Sequence, residues 1–226
     1  GWLAQEVSTG PAVIADGKSV NVTLLFSVSR YDEVIEAYLA GLEACEGRLE
    51  GVSSVASFFV SRADSEIDRR LDAIGTAEAL ALKGKAAVAN AQLAYELFLS
   101  RFSGPRWDAL AARGARVQRP LWASTSTKDP SYPDTLYVDT LIAPDTVNTM
   151  PEATLEAFEA RGTVARTADA DLPGAKAVLE QLAGLGIDLD EATRQLEVEG
   201  VASFEKSFDD LLASLQDKAS TLAREV

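Results

Sequence analysis

The chain of 226 residues carries 21 basic and 35 acidic side chains, a net charge of −14, with no histidine and a single cysteine, Cys45. This excludes histidine triads, the common zinc sites and an internal disulfide, and a lone thiol makes a reducing cytoplasm the expected compartment. An acidic surface repels nucleic acid, and charges interrupt every apolar stretch before it could span a bilayer, so neither partner is expected.

Small phosphorylated ligands stay open, because an anion in a pocket feels its lining cations more than a surface screened by salt. The sequence starts at Gly1 without a secretory leader, and Met150 is its one methionine, so an N-terminal truncation is expected. Three stretches are expected: a weakly periodic lead-in over residues 1–19, strand-then-helix units over 20–161, and helices over 162–226.

Residues 20–27 (Val-Asn-Val-Thr-Leu-Leu-Phe-Ser) are rich in β-formers and predict a strand. Val34, Ile35, Tyr38, Leu39 and Leu42 then recur at helical spacing. A second strand is predicted over Ser54–Arg62, followed by a long helical region to about Phe102, interrupted near Gly75. A short helix carries Trp107, Leu110 and Ala111 and ends at Gly114. Arg119–Thr125 predicts a third strand, with proline near its start where a missing N–H is tolerated. Asp-Pro and Tyr-Pro turn signals mark a loop over 126–133, and Asp134–Leu141 is helical in pattern. A fourth strand is predicted over Thr146–Met150, and Pro151-Glu152 opens the next helix. Three further helices are expected: one through Val178–Leu185, one over Asp190–Val198, and a terminal amphipathic one from Val201 to Leu222.

Four strand-then-helix units imply parallel strands joined by right-handed crossovers. The α/β pattern fits half of an eight-stranded (β/α)8 barrel and a small open sheet equally. No glycine-rich phosphate loop follows any strand.

Active sites of such folds lie at the carboxyl ends of the strands, and here those ends are polar together. The first strand holds Asn21 and Thr23 and ends in Ser27. The second holds Ser57 and ends at Ser61-Arg62. The third ends at Ser124-Thr125-Ser126 with Lys128 beyond, and the fourth at Asn148-Thr149. Polar groups in buried strands are costly unless bonded, so four successive strands carrying them suggest a shared polar cavity. Arg62 and Lys128, with hydroxyls between, suit a phosphate monoester. Alternatively Arg62 pairs with Asp64 or Glu66, and Lys128 with Asp129, on a solvated rim.

Six segments resemble the transaldolases in order along the chain: residues 20–27, 54–62, 84–90 (Gly-Lys-Ala-Ala-Val-Ala-Asn), 118–125, 132–139 (Tyr-Pro-Asp-Thr-Leu-Tyr-Val-Asp) and 145–152. The chain is most similar to the bacterial branch with a long helical insertion and an extra C-terminal helix. The resemblance implies a TIM barrel of which these strands are the fifth to eighth. It implies transfer of a dihydroxyacetone unit from sedoheptulose 7-phosphate to glyceraldehyde 3-phosphate, giving erythrose 4-phosphate and fructose 6-phosphate, in the pentose phosphate pathway without a cofactor. It also implies that Asn21 and Thr23 face the reacting carbonyl and its water, that Ser57 contacts substrate, and that Arg62, Ser124, Ser126 and Lys128 hold phosphate.

In that family a lysine on the fourth strand forms a Schiff base with the substrate ketone. Pro11-Ala-Val13 resembles the start of the following helix, yet no lysine precedes it, and Lys18, Lys83, Lys85, Lys128, Lys176, Lys206 and Lys218 stand elsewhere. The expectation is therefore a half-barrel that is inactive alone. The alternatives are a non-catalytic interaction or complementation partner and a related sugar-phosphate aldolase. A half-barrel leaves open sheet edges, so self-association is expected.

Overall fold

In the computed structural model, which describes residues 10–222 with side chains to residue 218, four parallel strands lie in the order β1–β2–β3–β4. They are β1 (Val20–Leu25), β2 (Ser54–Phe59), β3 (Gln118–Ala123) and β4 (Val147–Asn148). Val20 pairs with Ser54 and Ser54 with Gln118, so β1 to β3 start level, while the short β4 joins late, with Val147 on Leu121 and Asn148 on Trp122, so that the strands finish nearly level. Strand order equal to chain order, with right-handed crossovers, places the connecting helices on one face. An open doubly wound sheet would reverse its order partway.

The alternation of side chains shows which face that is. Val22, Ala56, Phe58, Pro120 and Trp122 point to the buried side, where Phe58 meets both Tyr31 and Trp122 edge-on. Asn21, Thr23, Val55, Ser57, Phe59, Arg119, Leu121 and Ala123 point to the other face, where among the described residues Asn21 and Arg119 are exposed, Thr23, Val55 and Phe59 half-buried, and Ser57, Leu121 and Ala123 buried.

Residues 10–15 form a first helix, α1, whose Ile14 is buried; a Cβ on Gly41 would come within 2.6 Å of it. Helix α2 (Val28–Ala44) buries Tyr31, Val34, Ile35, Tyr38, Leu39 and Leu42, the stripe expected from their spacing. The long region after β2 divides into α3 (Ser61–Ile74), α4 (Ala77–Leu80), α5 (Ala86–Arg101) and α6 (Gly104–Ala112). Gly75, at φ 70°, ends α3 in the left-handed conformation that glycine adopts without a Cβ clash. Helices α7 (Leu136–Asp139), α8 (Glu152–Arg161) and α9 (Leu172–Gly184) complete the connections.

Two expectations are corrected. The two helices expected after residue 190 are one, α10 (Leu189–Leu222). Gly200 does not break it: a Cβ there would sit 3.0 Å from Leu24 Cδ2, so the glycine lets the helix close on β1. The first strand also stops at Leu25, short of Ser27. Leu24 is at φ 61°, the pairing slips between Val22 and Leu25, and the Ser27 side chain accepts from Arg30 N–H as the cap of α2.

Candidate functional site

The carboxyl end of β2 runs directly into α3. Val60 and Ser61 N–H donate to the carbonyls of Ala123 and Ser124, each at 2.9 Å, and the Ser61 and Ser124 hydroxyls share a 2.7 Å hydrogen bond. Ser124 adopts φ 56°, an uncommon conformation for serine that turns the chain just past β3. Arg62 is thus the second residue of a 14-residue helix, at the end where unpaired N–H groups and the dipole favour anions. Its guanidinium carbon lies 5.4 Å from the Phe59 ring centroid, which holds the exposed side chain at the end of the open sheet face.

Lys128 approaches from the segment after β3, and its ammonium donates to Ser126 Oγ at 2.8 Å. Arg62 and Lys128 line one open hollow of ≈ 340 Å³ with Ser65, Glu66, Leu196, Glu199 and Gly200. The three carboxylates expected to pair with them are engaged elsewhere, while Glu199, which shares the hollow, accepts from Gln195 Nε2. Asp64 accepts from Ala87 N–H and the Tyr137 hydroxyl, and Asp129 from Ser131. Glu66 binds Arg69 and Arg70, whose guanidiniums hold its carboxyl below the usual range. Among the described residues, neither Arg62 nor Lys128 makes an ion pair with these three, so the pairings of the solvated-rim alternative are not formed, although both side chains are exposed.

The other expected residues fall into two groups. Ser124 is at the lip, bonded to Ser61 beside Arg62, and Ser126 carries the Lys128 head. Ser57 and Asn21 lie lower on the same open face, where Ser57 Oγ donates to Asn21 Oδ1 at 2.8 Å across β1 and β2. Thr23 shares that face by alternation and is half-buried. None of Ser57, Asn21, Thr23, Ser124 and Ser126 lines the hollow of Arg62 and Lys128; Ser124 and Ser126 reach it only through their neighbours. Of the remaining polar strand ends, Ser27 is a helix cap, and Thr125 donates to Asn148 Oδ1 and Thr149 carbonyl oxygen.

The lysines away from this end are on the surface. Lys18 stands before β1 and pairs with Asp16, Lys83 with Asp72, Lys176 with Glu96 and Lys206 with Asp210. The expected lysine position before Pro11 lies in residues 1–9, outside the described residues.

Sequence reasoning missed two buried carboxylates behind the hollow. Asp64 is 1% exposed, and burial pushes its carboxyl up to about 6. Asp68, one turn on, accepts from Gly84 N–H and from the Tyr132 hydroxyl, and burial raises its carboxyl too. Their spacing of four on one helix face, three residues from no cation in particular, resembles an ordinary solvated stripe. The available signal was the pair of tyrosines in the motif at 132–139. Among the described residues, no group of three or more Cys, Asp or Glu is placed to hold a metal.

Residues 10–215 match the family model described as transaldolase/fructose-6-phosphate aldolase. A transaldolase of a Parafrankia species is 56% identical over 216 residues, 94% of this chain and 58% of that protein. A transaldolase of Frankia alni is 56% identical over 206 residues, 89% and 56% of the two chains. Transaldolase 1 of Streptomyces avermitilis is 57% identical over 207 residues, 90% and 55%. The chain therefore spans a little over half the length of these curated relatives.

Proposed function

Because the chain belongs to the transaldolase/fructose-6-phosphate aldolase family, we propose that it forms the phosphate-binding part of a transaldolase, which moves a dihydroxyacetone unit between sugar phosphates through a Schiff base. The observation that supports this most is the meeting of Arg62 and Lys128 over one hollow, with neither ion-paired to Asp64, Glu66 or Asp129. Two exposed cations meeting at one hollow can take an anion, and a guanidinium fork beside an ammonium matches a phosphate monoester.

In this reading Arg62, Lys128, Ser124 and Ser126 take the phosphate, at the N-terminal end of α3 where the helix dipole favours an anion. The sugar then runs down the open sheet face toward Ser57, Asn21 and Thr23. Ser57 contacts the substrate, and Asn21 and Thr23 face the reacting carbonyl and the water that serves it. The open face supports the half-barrel reading, with these strands as the fifth to eighth of eight and the rest of the barrel closing over that face. The amine that forms the Schiff base is assigned to a group outside these 226 residues, since Lys18 lies at the opposite end of β1 and the other lysines sit on the helices or in the rim segment.

Borohydride trapping with fructose 6-phosphate tests the assignment. The chain alone is expected to remain unlabelled. Mixed with the lysine-bearing N-terminal portion of the Parafrankia relative, it is expected to recover turnover. Arg62→Ala in that mixture is expected to raise KM for the sugar phosphate about tenfold or more, the worth of one charged hydrogen-bonded contact. A covalent label on any lysine of this chain, or an unchanged KM in the Arg62 variant, contradicts the reading.

A further inference from the structure

Two of the sequence motifs, residues 84–90 and 132–139, have no part in the phosphate hollow as described. They meet behind it. Asp64 and Asp68 project one turn apart from α3, and each carboxylate is divided in the same way. One oxygen accepts a backbone N–H from the start of the α5 segment: Ala87 at 2.7 Å for Asp64, Gly84 at 3.0 Å for Asp68. The other accepts a tyrosine hydroxyl from the segment after β3: Tyr137 at 2.8 Å for Asp64, Tyr132 at 2.6 Å for Asp68.

The backbone half of this pattern has a plain structural purpose. Helix α5 begins after Lys85, whose side chain makes no capping bond, so the early N–H of Ala87 would be unpaired without Asp64. Gly84 is at φ 72°, and a Cβ on it would lie 2.9 Å from Tyr132 Cζ, so the ring packs directly on the glycine.

The tyrosine half is not needed for capping. It fastens the rim segment to α3, the same helix that carries Arg62. Tyr132 stands four residues after Lys128, and Lys128 fronts both the Arg62 hollow and a second hollow of ≈ 440 Å³ lined by Asp64, Ser65, Asp68, Lys83, Asp129 and Tyr137. Among the described residues, the Lys128 ammonium bonds its own segment's Ser126, so its place opposite Arg62 depends on how that segment is anchored. Holding two carboxylates inside the protein when neither forms an ion pair among the described residues is expensive, and capping α5 calls for only one of them.

We propose that Asp64 and Asp68, acting through Tyr137 and Tyr132, are positioning residues that clamp the rim segment so that Lys128 and Ser126 face Arg62 across the phosphate hollow. This rests on the phosphate reading above and goes beyond it by assigning a role to four residues that do not line the Arg62 hollow. Tyr132 and Asp68 form the outer bond of the clamp, nearer Lys128, and Tyr137 and Asp64 the inner one.

The test is a double-mutant cycle on the full chain, read by equilibrium binding of inorganic phosphate. Tyr132→Phe removes one hydroxyl and leaves the ring on Gly84. It is expected to weaken phosphate binding about three- to tenfold, a part of one charge-assisted hydrogen bond. Lys128→Met is expected to weaken it by a similar factor, and the double variant by no more than the larger single effect, because both changes remove the same ammonium from the hollow. Arg62→Ala is expected to add its full effect to either. A merely structural tyrosine would not produce that selective coupling to Lys128.

Asp68→Asn, which keeps an acceptor for Gly84 N–H, provides the same cycle should the tyrosine variant lose its far-ultraviolet dichroism. Full additivity of the Tyr132 or Asp68 change with Lys128→Met, or no effect of either, overturns the clamp while leaving the phosphate reading intact. Phosphate affinity unchanged in Arg62→Ala overturns both, and is distinguishable because it does not involve the clamp residues.

Discussion

Asp64→Asn isolates what a buried, cation-free carboxylate does to this fold. Asp64 is 1% exposed, and burial pushes its carboxyl up to about 6 from 3.8, against the opposing pull of its bonds to Ala87 and Tyr137, with the Asp68 charge adding to the rise. In the unfolded chain the group titrates near its ordinary value. Between those two values the folded chain holds a proton that the unfolded chain has released, so this contribution to stability is complete below about pH 4 and is lost as pH rises through about 6. The gap between 3.8 and about 6 corresponds to about 3 kcal/mol.

Asparagine stays neutral throughout, accepts from Ala87 N–H with its oxygen and donates to the Tyr137 oxygen with its amide. Measured against the parent chain, Asp64→Asn is therefore expected to be near neutral at about pH 4 and to gain about 3 kcal/mol by about pH 7.5. Urea unfolding followed by circular dichroism at several pH values gives the difference directly. Taking the difference cancels Glu36, Glu43, Glu66 and Asp169, whose carboxyls are held low by arginine partners and whose stabilisation is instead lost as pH falls. A difference that does not change with pH, or that turns against the variant toward pH 7.5, refutes the reasoning.

Gly84→Ala is expected to lower stability by about 2 kcal/mol, from left-handed backbone strain and displacement of the Tyr132 ring, read as a lower thermal midpoint; an unchanged midpoint means the ring gives way freely. The edge of β1, which pairs with no other strand among the described residues, and the exposed Phe204, Phe208, Leu211 and Leu215 of α10 lead us to expect self-association. Light scattering over a concentration series should show a mass rising above 24.0 kDa, and a constant 24.0 kDa at every concentration counts against it.

Sequence periodicity was enough for the regular elements. The stripe from Val34 to Leu42 reads as a helix face because each residue needs only neighbours three and four away, and α2 buries those positions. Arg62 and Lys128 were legible as a pair because parallel strands deliver their carboxyl ends to one rim whatever the helices between them do. Elements defined by distant partners were not legible. The helices expected over 190–198 and 201–222 are one because the reason for Gly200 between them, Leu24, lies far back in the chain on another element. Helix α5 carries no local cap because Asp64 supplies one across 23 residues. Ser27 looked like part of a polar cavity, although its hydroxyl closes the first turn of α2.

What the sequence determined by itself was an acidic α/β chain with four parallel strands and cations at their finish, since alternation, helical spacing and charge are properties of neighbours. Only the tertiary structure decided that the strands lie in chain order, and that Asp64 and Asp68 turn to tyrosines and make no ion pair with Arg62. Each of those outcomes depends on which distant groups compete for the same hydrogen bonds, and that competition exists only once the chain has folded.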